Sequence, residues 1–500
     1  DTGTELPEKF VLTKEFKDTY DLINKTDTNL FITGKAGSGK STLLEYFRQN
    51  TNKNFATLAF QGITAIKAKG QTIHSFFKLG PHFLSKDDVK ELRDKQVIQN
   101  LDTILIDEIS MVRADLFDAI DLSLKKNRKN DKPFGGVQMV LFGDVMQIDP
   151  IVGSDDEVME KFYPNGPFFF NSKSYSKKDF KQIELTKIFR QSDKKFVNLL
   201  NKIRMNKLQN EDLSILNNQL INREEVPKDT IILAPTNRKV DDINNTNLYK
   251  LTTPTFNYNA IVKGSWKDKE HPVKKEIVLK VGAQVMITKN DTDEPKRWVN
   301  GTLGIITFLS KDQIKIKIKD KIFSLGKTKW DKYNYKFSGN KVNAFSVGSF
   351  IQFPLKLAWA TTIHKSQGQT FDNVSIDLDT GSFAHGQTYV ALSRAKSLEG
   401  ISLLKKIQKK DIIFDARVLE FIGQKLESKY ISEILKNAPK SKKKIMPKST
   451  KSNSNEWTTS DDNKLLALYK RNVPEFALAK ILKKSITQIR ERIMHLMKNN

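Results

Sequence analysis

With 500 residues the chain is too long for a single hydrophobic core, and its 38% apolar content suits ordinary globular domains, so two large domains with smaller appendages are expected. No stretch approaches the roughly 20 consecutive apolar residues of a membrane span, and the lack of cysteine excludes disulfides and thiolate metal sites. A net charge of +26 points to a polyanionic partner; residues 436–500 hold 16 Lys/Arg against 5 Asp/Glu, so a basic tail explains only part of it.

Residues 1–10 are polar and carry no signal-peptide pattern, and a chain starting at Asp1 reads as trimmed. The expected location is cytoplasmic, or nuclear or mitochondrial in a eukaryote. Residues 30–33, 103–107 and 137–142 then read as short buried strands, each ending at a polar or Gly-rich turn, with helical stretches between them. That alternation predicts a parallel sheet covered on both faces. A second set begins at 230–234 and resumes at 357–360 and 374–376. Between them, 252–346 is rich in β-branched and aromatic residues, and the alternation at 313–319 (QIKIKIK) predicts a small β-barrel insert. Residues 438–456 have the composition of a solvated linker. From Trp457 onward helical periodicity returns, with Leu465, Leu466, Leu468 and Tyr469 on one face, Pro474 at a second helix start, and Arg490 and Arg492 in a third helix. This predicts a helix-turn-helix or Myb-like module serving DNA, a partner or a structural cap.

The run Gly34-Lys35-Ala36-Gly37-Ser38-Gly39-Lys40-Ser41 fits G-x-x-x-x-G-K-[ST], and it follows a strand and opens a helix, as the motif requires. Glycines let backbone N–H groups approach phosphates, and the helix N-terminus adds its dipole. Lys40 is expected to reach the β/γ-phosphates and Ser41 to hold Mg²⁺. Asp107 ends an apolar strand where a second Mg²⁺ contact is needed, and Glu108 can take a proton from attacking water. Gln147, past the third strand, is expected to sense the γ-phosphate. These residues describe a nucleoside-triphosphate-hydrolysing P-loop enzyme.

From about residue 10 to 435 an ordered set of segments resembles the PIF/RecD-like 5′-to-3′ DNA helicases of superfamily one. Gln71-Thr72-Ile73-His74-Ser75-Phe76-Phe77 looks like that family's hallmark after the second strand. Asp107-Glu108-Ile109-Ser110-Met111, Gly143-Asp144-Val145-Met146-Gln147-Ile148-Asp149-Pro150 and Leu185-Thr186-Lys187-Ile188-Phe189-Arg190-Gln191 resemble three further motifs. Thr361-Thr362-Ile363-His364-Lys365-Ser366-Gln367-Gly368-Gln369-Thr370 looks like the fifth and Tyr389-Val390-Ala391-Leu392-Ser393-Arg394-Ala395-Lys396 the sixth. The entry to the β insert, Gln284-Val285-Met286 and Val299-Asn300-Gly301-Thr302, looks like the PIF branch. There are two departures. Phe16 stands near where relatives often read adenine with a Gln, which weakens the expectation of adenine selectivity. Asp149 replaces a usual second proline, with little expected consequence.

The resemblance implies an α/β fold of two tandem RecA-like P-loop domains with an SH3-like β insert and a C-terminal three-helix module. The implied divisions are 1–180 (first domain, with a wedge element at about 63–77), 181–251 and 347–435 (the second domain), 252–346 (insert), 436–456 (basic linker) and 457–500 (module). It implies arginine contacts to the γ-phosphate from Arg190 and Arg394, a nucleotide contact at Gly368, and single-strand contacts from Thr64, His74, Thr236, Asn237, His364 and Lys365. It implies ATP and Mg²⁺ as cofactors and, as partners, single-stranded and tailed duplex DNA, with quadruplexes or RNA–DNA hybrids as further substrates. The implied enzyme is a monomer, able to pair on DNA, that unwinds DNA in replication, repair, recombination and telomere processing. A 3′-to-5′ or RNA-directed motor would lack the signature at 72–77. A non-catalytic DNA clamp would not need Lys40, Asp107, Glu108, Arg190 and Arg394 together.

Overall fold

The computed structural model describes residues 13–34, 38–147, 149–150, 152, 155–176, 179–185, 193–293, 296–378 and 384–422, together with Trp457 and scattered positions from 461 to 496. Two compact units are present, one comprising 1–150 and 165–424 and the other 151–164 and 425–500.

The first unit opens with α1 (Lys14–Lys25), β1 (Asn29–Gly34), α2 (Lys40–Asn50), β2 (Phe55–Ala59), α3 (Gly62–Lys67), β3 (Gln71–Thr72), α4 (Ile73–Phe77), α5 (Gln96–Gln99), β4 (Thr103–Asp107), α6 (Ala114–Arg128) and β5 (Gln138–Phe142). Helix α7 (Asp156–Phe162) belongs to the second unit. The first sheet is completed by β6 (Phe180–Leu185), and its order is β3-β2-β4-β5-β1-β6, all parallel. Strands β1, β4 and β5 are mostly apolar and almost entirely buried, as expected of a parallel sheet covered on both faces. The expected boundary at residue 180 is therefore corrected. Residues 180–185 pair in register with 29–34, so the first lobe runs to Leu185.

The second lobe begins with α8 (Lys194–Arg204), α9 (Asn210–Asn217), β7 (Ile231–Ala234) and α10 (Asn237–Lys250). The chain then leaves it for β8 (Thr255–Asn259), β9 (Ile261–Lys263), β10 (Glu276–Lys280), β11 (Gln284–Ile287), β12 (Leu303–Leu309), β13 (Ile314–Ile318), β14 (Lys321–Leu325), β15 (Thr328–Ser338), β16 (Lys341–Gln352) and β17 (Leu355–Leu357). These strands form antiparallel sheets of two, five and three strands around one shared core that includes Val285, Ile314, Ile316, Phe350 and Phe353. Strand β13 alternates as expected, with its isoleucines buried and its lysines exposed.

The chain returns through β18 (Ala360–Thr362), β19 (Val374–Ile376), α11 (Gln387–Leu392), β20 (Ile401–Leu403) and α12 (Ala416–Phe421), giving a parallel sheet in the order β18-β7-β19-β20. Two expectations change here. The strand expected at 357–360 is a junction: 355–357 pairs with β11 in the insert, whereas 360–362 pairs with β7 in the lobe. The insert's strands also run past its expected end at 346, because β16 continues to Gln352 to complete its pairing with β15.

In the second unit the described core is Leu465, Leu478, Leu482, Ile489 and Ile493, with Trp457 and Leu496 against it. Arg492 makes a two-pronged bond to Asp462 (2.8 and 2.7 Å) and lies over the Trp457 ring, so it serves this unit internally. The linker at 436–456, Tyr469, Pro474 and Arg490 lie outside the described residues.

Candidate nucleotide and single-strand sites

Every motif in the first lobe lies at the carboxyl end of a parallel strand, the edge where open α/β sheets place their ligands. The Gly34 turn follows β1, Asp107 ends β4, and Gly143–Gln147 follows β5, which lies between those two strands in the sheet. Sheet order, not sequence, therefore brings the phosphate loop, the acidic pair and the expected sensor to one place.

At the phosphate loop, Gly39 caps α2 at φ +91, a conformation glycine adopts without strain. A Cβ at Gly34 would meet Ser38 Oγ at 2.5 Å and the Leu185 carbonyl at 2.7 Å. Lys40 Nζ donates to the Gly34 carbonyl at 2.6 Å. Ser38 Oγ is buried without a hydrogen-bond partner, and Ser41 is exposed at the first turn of α2. Lys35, Ala36 and Gly37 lie outside the described residues.

Burial first, and then the charge of Glu108, push the Asp107 carboxyl up, against the pull of Lys40 and Lys67. Glu108 adopts the left-handed region (φ 52, ψ 49), a strained backbone for a residue with a side chain. A half-buried carboxylate pair, with the exposed Ser41 hydroxyl and the buried Ser38 hydroxyl on the neighbouring loop, offers the oxygen donors that a divalent cation takes. Asp107 and Ser41 are the residues that would hold it.

Gln147 is buried, its amide 3.4 Å from Asp144, and its carbonyl oxygen accepts from Gln367 at 3.3 Å. That bond crosses from the first lobe to the fifth-motif loop of the second. Asp144 is fully buried, where burial would raise it, but Arg204 (3.3 Å) and Lys40 hold it ionised below the ordinary range. Arg204 escaped the sequence reading because a lone arginine on a helix carries no signal.

Arg394 is 1% exposed. Its guanidinium donates to the carbonyls of Val390, Ser366 and Gln369 and to Ser393 Oγ, at 2.9 to 3.2 Å. Arg190 lies outside the described residues. Gly368 is exposed at φ +74 with open space where a Cβ would be, as a close backbone approach requires. Phe16 packs into the first lobe's core with Tyr46.

The expected strand contacts also line carboxyl edges. Thr64 lies on α3 after β2, and His74 on α4 after β3, which pairs with β2. Burial, and then the charge of Arg113, lower His74, and burial lowers His364, which favours the neutral ring in both. In the second lobe Thr236 caps α10, and Asn237 Oδ1 accepts from Lys365 Nζ at 2.9 Å. Two lysines were not anticipated. Burial, and then the charges of Lys67 and Lys365, push Lys356 down to about 8. Lys67, at the end of α3, is lowered by burial and is close enough to Glu108 and Asp107 to feel their charge. Lys356 stands in the run Pro354-Leu355-Lys356-Leu357, where strand periodicity alone does not show that it comes close to Lys67 and Lys365.

Comparison with known proteins finds DNA helicases. The family model for PIF1-like helicases matches residues 11–214, and that for the UvrD-like helicase C-terminal domain matches 357–398. The chain is 32% identical to the ATP-dependent DNA helicase PIF1 of Danio rerio over 429 residues, covering 79% of this chain and 64% of that protein. It is 31% identical to the ATP-dependent DNA helicase Pif1 of Bdellovibrio bacteriovorus, covering 83% and 92%. It thus spans slightly less than two thirds of the fish protein and nearly all of the bacterial one. Among solved structures it resembles Pif1 from Bacteroides sp in complex with ADP-AlF4 (TM-score 0.77, 35% identity, 85% of this chain and 98% of that one). It also resembles Bacteroides Pif1 bound to ssDNA (TM-score 0.60, 36% identity, the same coverage).

Proposed function

Because the chain belongs to the PIF1-like helicase family, we propose that it is an ATP-driven motor that moves 5′-to-3′ along single-stranded DNA and separates tailed duplexes. One observation carries the reading. Gln147, at the tip of a first-lobe strand beside the phosphate loop, bonds Gln367 of the second lobe at 3.3 Å, which supports one cleft shared by the loops proposed to take nucleotide and strand.

In this reading the amides around Ser38–Ser41 and the Lys40 ammonium hold the phosphates, the ammonium leaving the Gly34 carbonyl when they arrive. Ser41 and Asp107 would hold Mg²⁺, which would supply charge neutralisation at the phosphates. Glu108 takes the proton from water, and Gln147 orients that water. Arg190 and Arg394 stabilise transition-state charge from the second lobe, a contribution of roughly 10³–10⁵ in rate for such arginines. Arg394 does this when lobe closure exchanges its present carbonyl partners for phosphate oxygens. Thr64 and His74 in one lobe, and Thr236, Asn237, His364 and Lys365 in the other, grip the strand in alternation. They do so through hydroxyls, amides, neutral imidazoles and cations on phosphates, so base sequence is ignored. Lys67 and Lys356 add charge to the same cleft.

The test is ATP-dependent unwinding of one duplex carrying either a 5′ or a 3′ tail, with Lys40→Ala as the hydrolysis-dead control. Unwinding from the 5′ tail alone is expected. Unwinding from the 3′ tail alone would overturn the direction, and normal turnover by the control would overturn the site.

A further inference from the structure

His385 has a place in the cleft that the mechanism above does not use. It is 3% exposed, and its two ring nitrogens are committed to opposite sides. Nε2 lies 2.9 Å from the carbonyl oxygen of Val145, in the loop that carries Gln147. Nδ1 lies 2.8 Å from the backbone nitrogen of Asp415, the residue that caps α12. A carbonyl only accepts and an amide N–H only donates, so these partners select the neutral imidazole with its hydrogen on Nε2. The charged groups near the ring are Asp149, whose carboxylate oxygen is 3.9 Å from Nε2, and beyond it Asp415 and Arg417.

The next residue extends the contact. Gly386 stands at φ +66 as the cap of α11 and lies against the first-lobe loop. A Cβ there would come within 2.6 Å of the Gln147 carbonyl oxygen and closer still to that of Met146. Helix α11 leads to Arg394, whose Nε donates back to the Val390 carbonyl at 2.9 Å within that helix. A short rigid path therefore runs from the Gln147 loop, through His385 and Gly386, to the arginine.

Resting on the reading that this cleft hydrolyses ATP, we propose that His385 is a positioning residue. Its single hydrogen bond to Val145 makes the Gln147 loop and the Arg394 helix move together when nucleotide arrives. It touches neither nucleotide nor DNA. Its effect falls on the rate of the chemical step rather than on ATP binding, because it sets where Gln147 and Arg394 stand relative to each other.

Two substitutions separate the two bonds. His385→Gln can still extend an N–H to the Val145 carbonyl but lacks an acceptor at the Nδ1 position. His385→Asn keeps an acceptor for the Asp415 amide but is too short to reach Val145. Steady-state ATP hydrolysis is measured with saturating oligo-dT, alongside thermal unfolding of each protein. For His385→Asn, kcat is expected to fall about tenfold, the equivalent of one lost hydrogen bond, with KM for ATP within about twofold. For His385→Gln, kcat should stay within about threefold of the parent. Equal losses in both variants, tracking their loss of thermal stability, would reduce His385 to packing and overturn the proposal, as would an unchanged kcat in His385→Asn. If His385→Asn fails to fold, Gly386→Ala serves instead. It leaves the imidazole in place, pushes a methyl against the Gln147 carbonyl, and should show the same kcat loss; an unchanged kcat there would also overturn the proposal. A parent protein with no oligo-dT-stimulated hydrolysis would instead overturn the reading of the cleft itself.

Discussion

Asp149 is a carboxylate with one buried oxygen that has no hydrogen-bond partner. Burial, and then Asp415, push it from 3.8 up to about 6, with His385 and Arg417 opposing. A raised folded-state value means that folding favours the protonated form. Its stabilising contribution is complete below 3.8 and is lost as pH rises through about 6. At pH 8 the ionised group then costs on the order of 3 kcal/mol. Asp149→Asn should therefore raise the unfolding midpoint at pH 8 and have little effect near pH 4, read by urea or thermal unfolding at both pH values. The same gain at both would show that charge is not the cause. Residue type and spacing single out Lys40, Ser41, Asp107 and Glu108 as candidates in the sequence, because phosphate and metal chemistry call for such groups in that order. They did not mark Arg204, His385 or the environment of Asp149, since each acquires its role from a partner far away in the chain.

At the scale of elements, the phosphate loop was legible because strand, turn and helix are contiguous. The edge of the first sheet was not. Strand β3 covers only Leu58 and Ala59 of β2, leaving the start of β2 open on that side. The long β15–β16 hairpin of the insert fills the gap. Tyr335 Oη accepts from the Thr57 amide at 2.8 Å and lies 3.3 Å from its carbonyl, and Asn54 bonds the backbone of Asn340 and Val342. Such contacts satisfy an otherwise exposed edge. Tyr335→Phe should lower stability by about 1–2 kcal/mol in urea unfolding and speed hydrogen exchange at the Thr57 amide. Unchanged protection of that amide would rule out the contact. The boundaries expected at 180 and 346 were misjudged for the same reason: β6 and β16 belong where their pairing partners are, and pairing partners are not written in local periodicity.

For the whole molecule, a net charge of +26 with neutral His74 and His364 makes lysine and arginine the carriers of any attraction to DNA phosphates. Affinity for single strands should then fall steeply with salt, log K declining by about 0.7 per phosphate contact for each unit of log salt. A fluorescence-anisotropy titration from low to high salt reads this directly, and a flat response would show that the basic charge is not the grip. The sequence by itself determined the chemistry and the class of fold. Short motifs carry the groups proposed to handle phosphates, and the alternation of apolar strands with helices dictates parallel sheets. Only the tertiary structure decided which strands neighbour which, that Gln147 meets Gln367 across the cleft, and that His385 joins the two lobes. Those facts depend on sheet order and lobe packing, where residues 220 and 240 positions apart come within hydrogen-bonding distance.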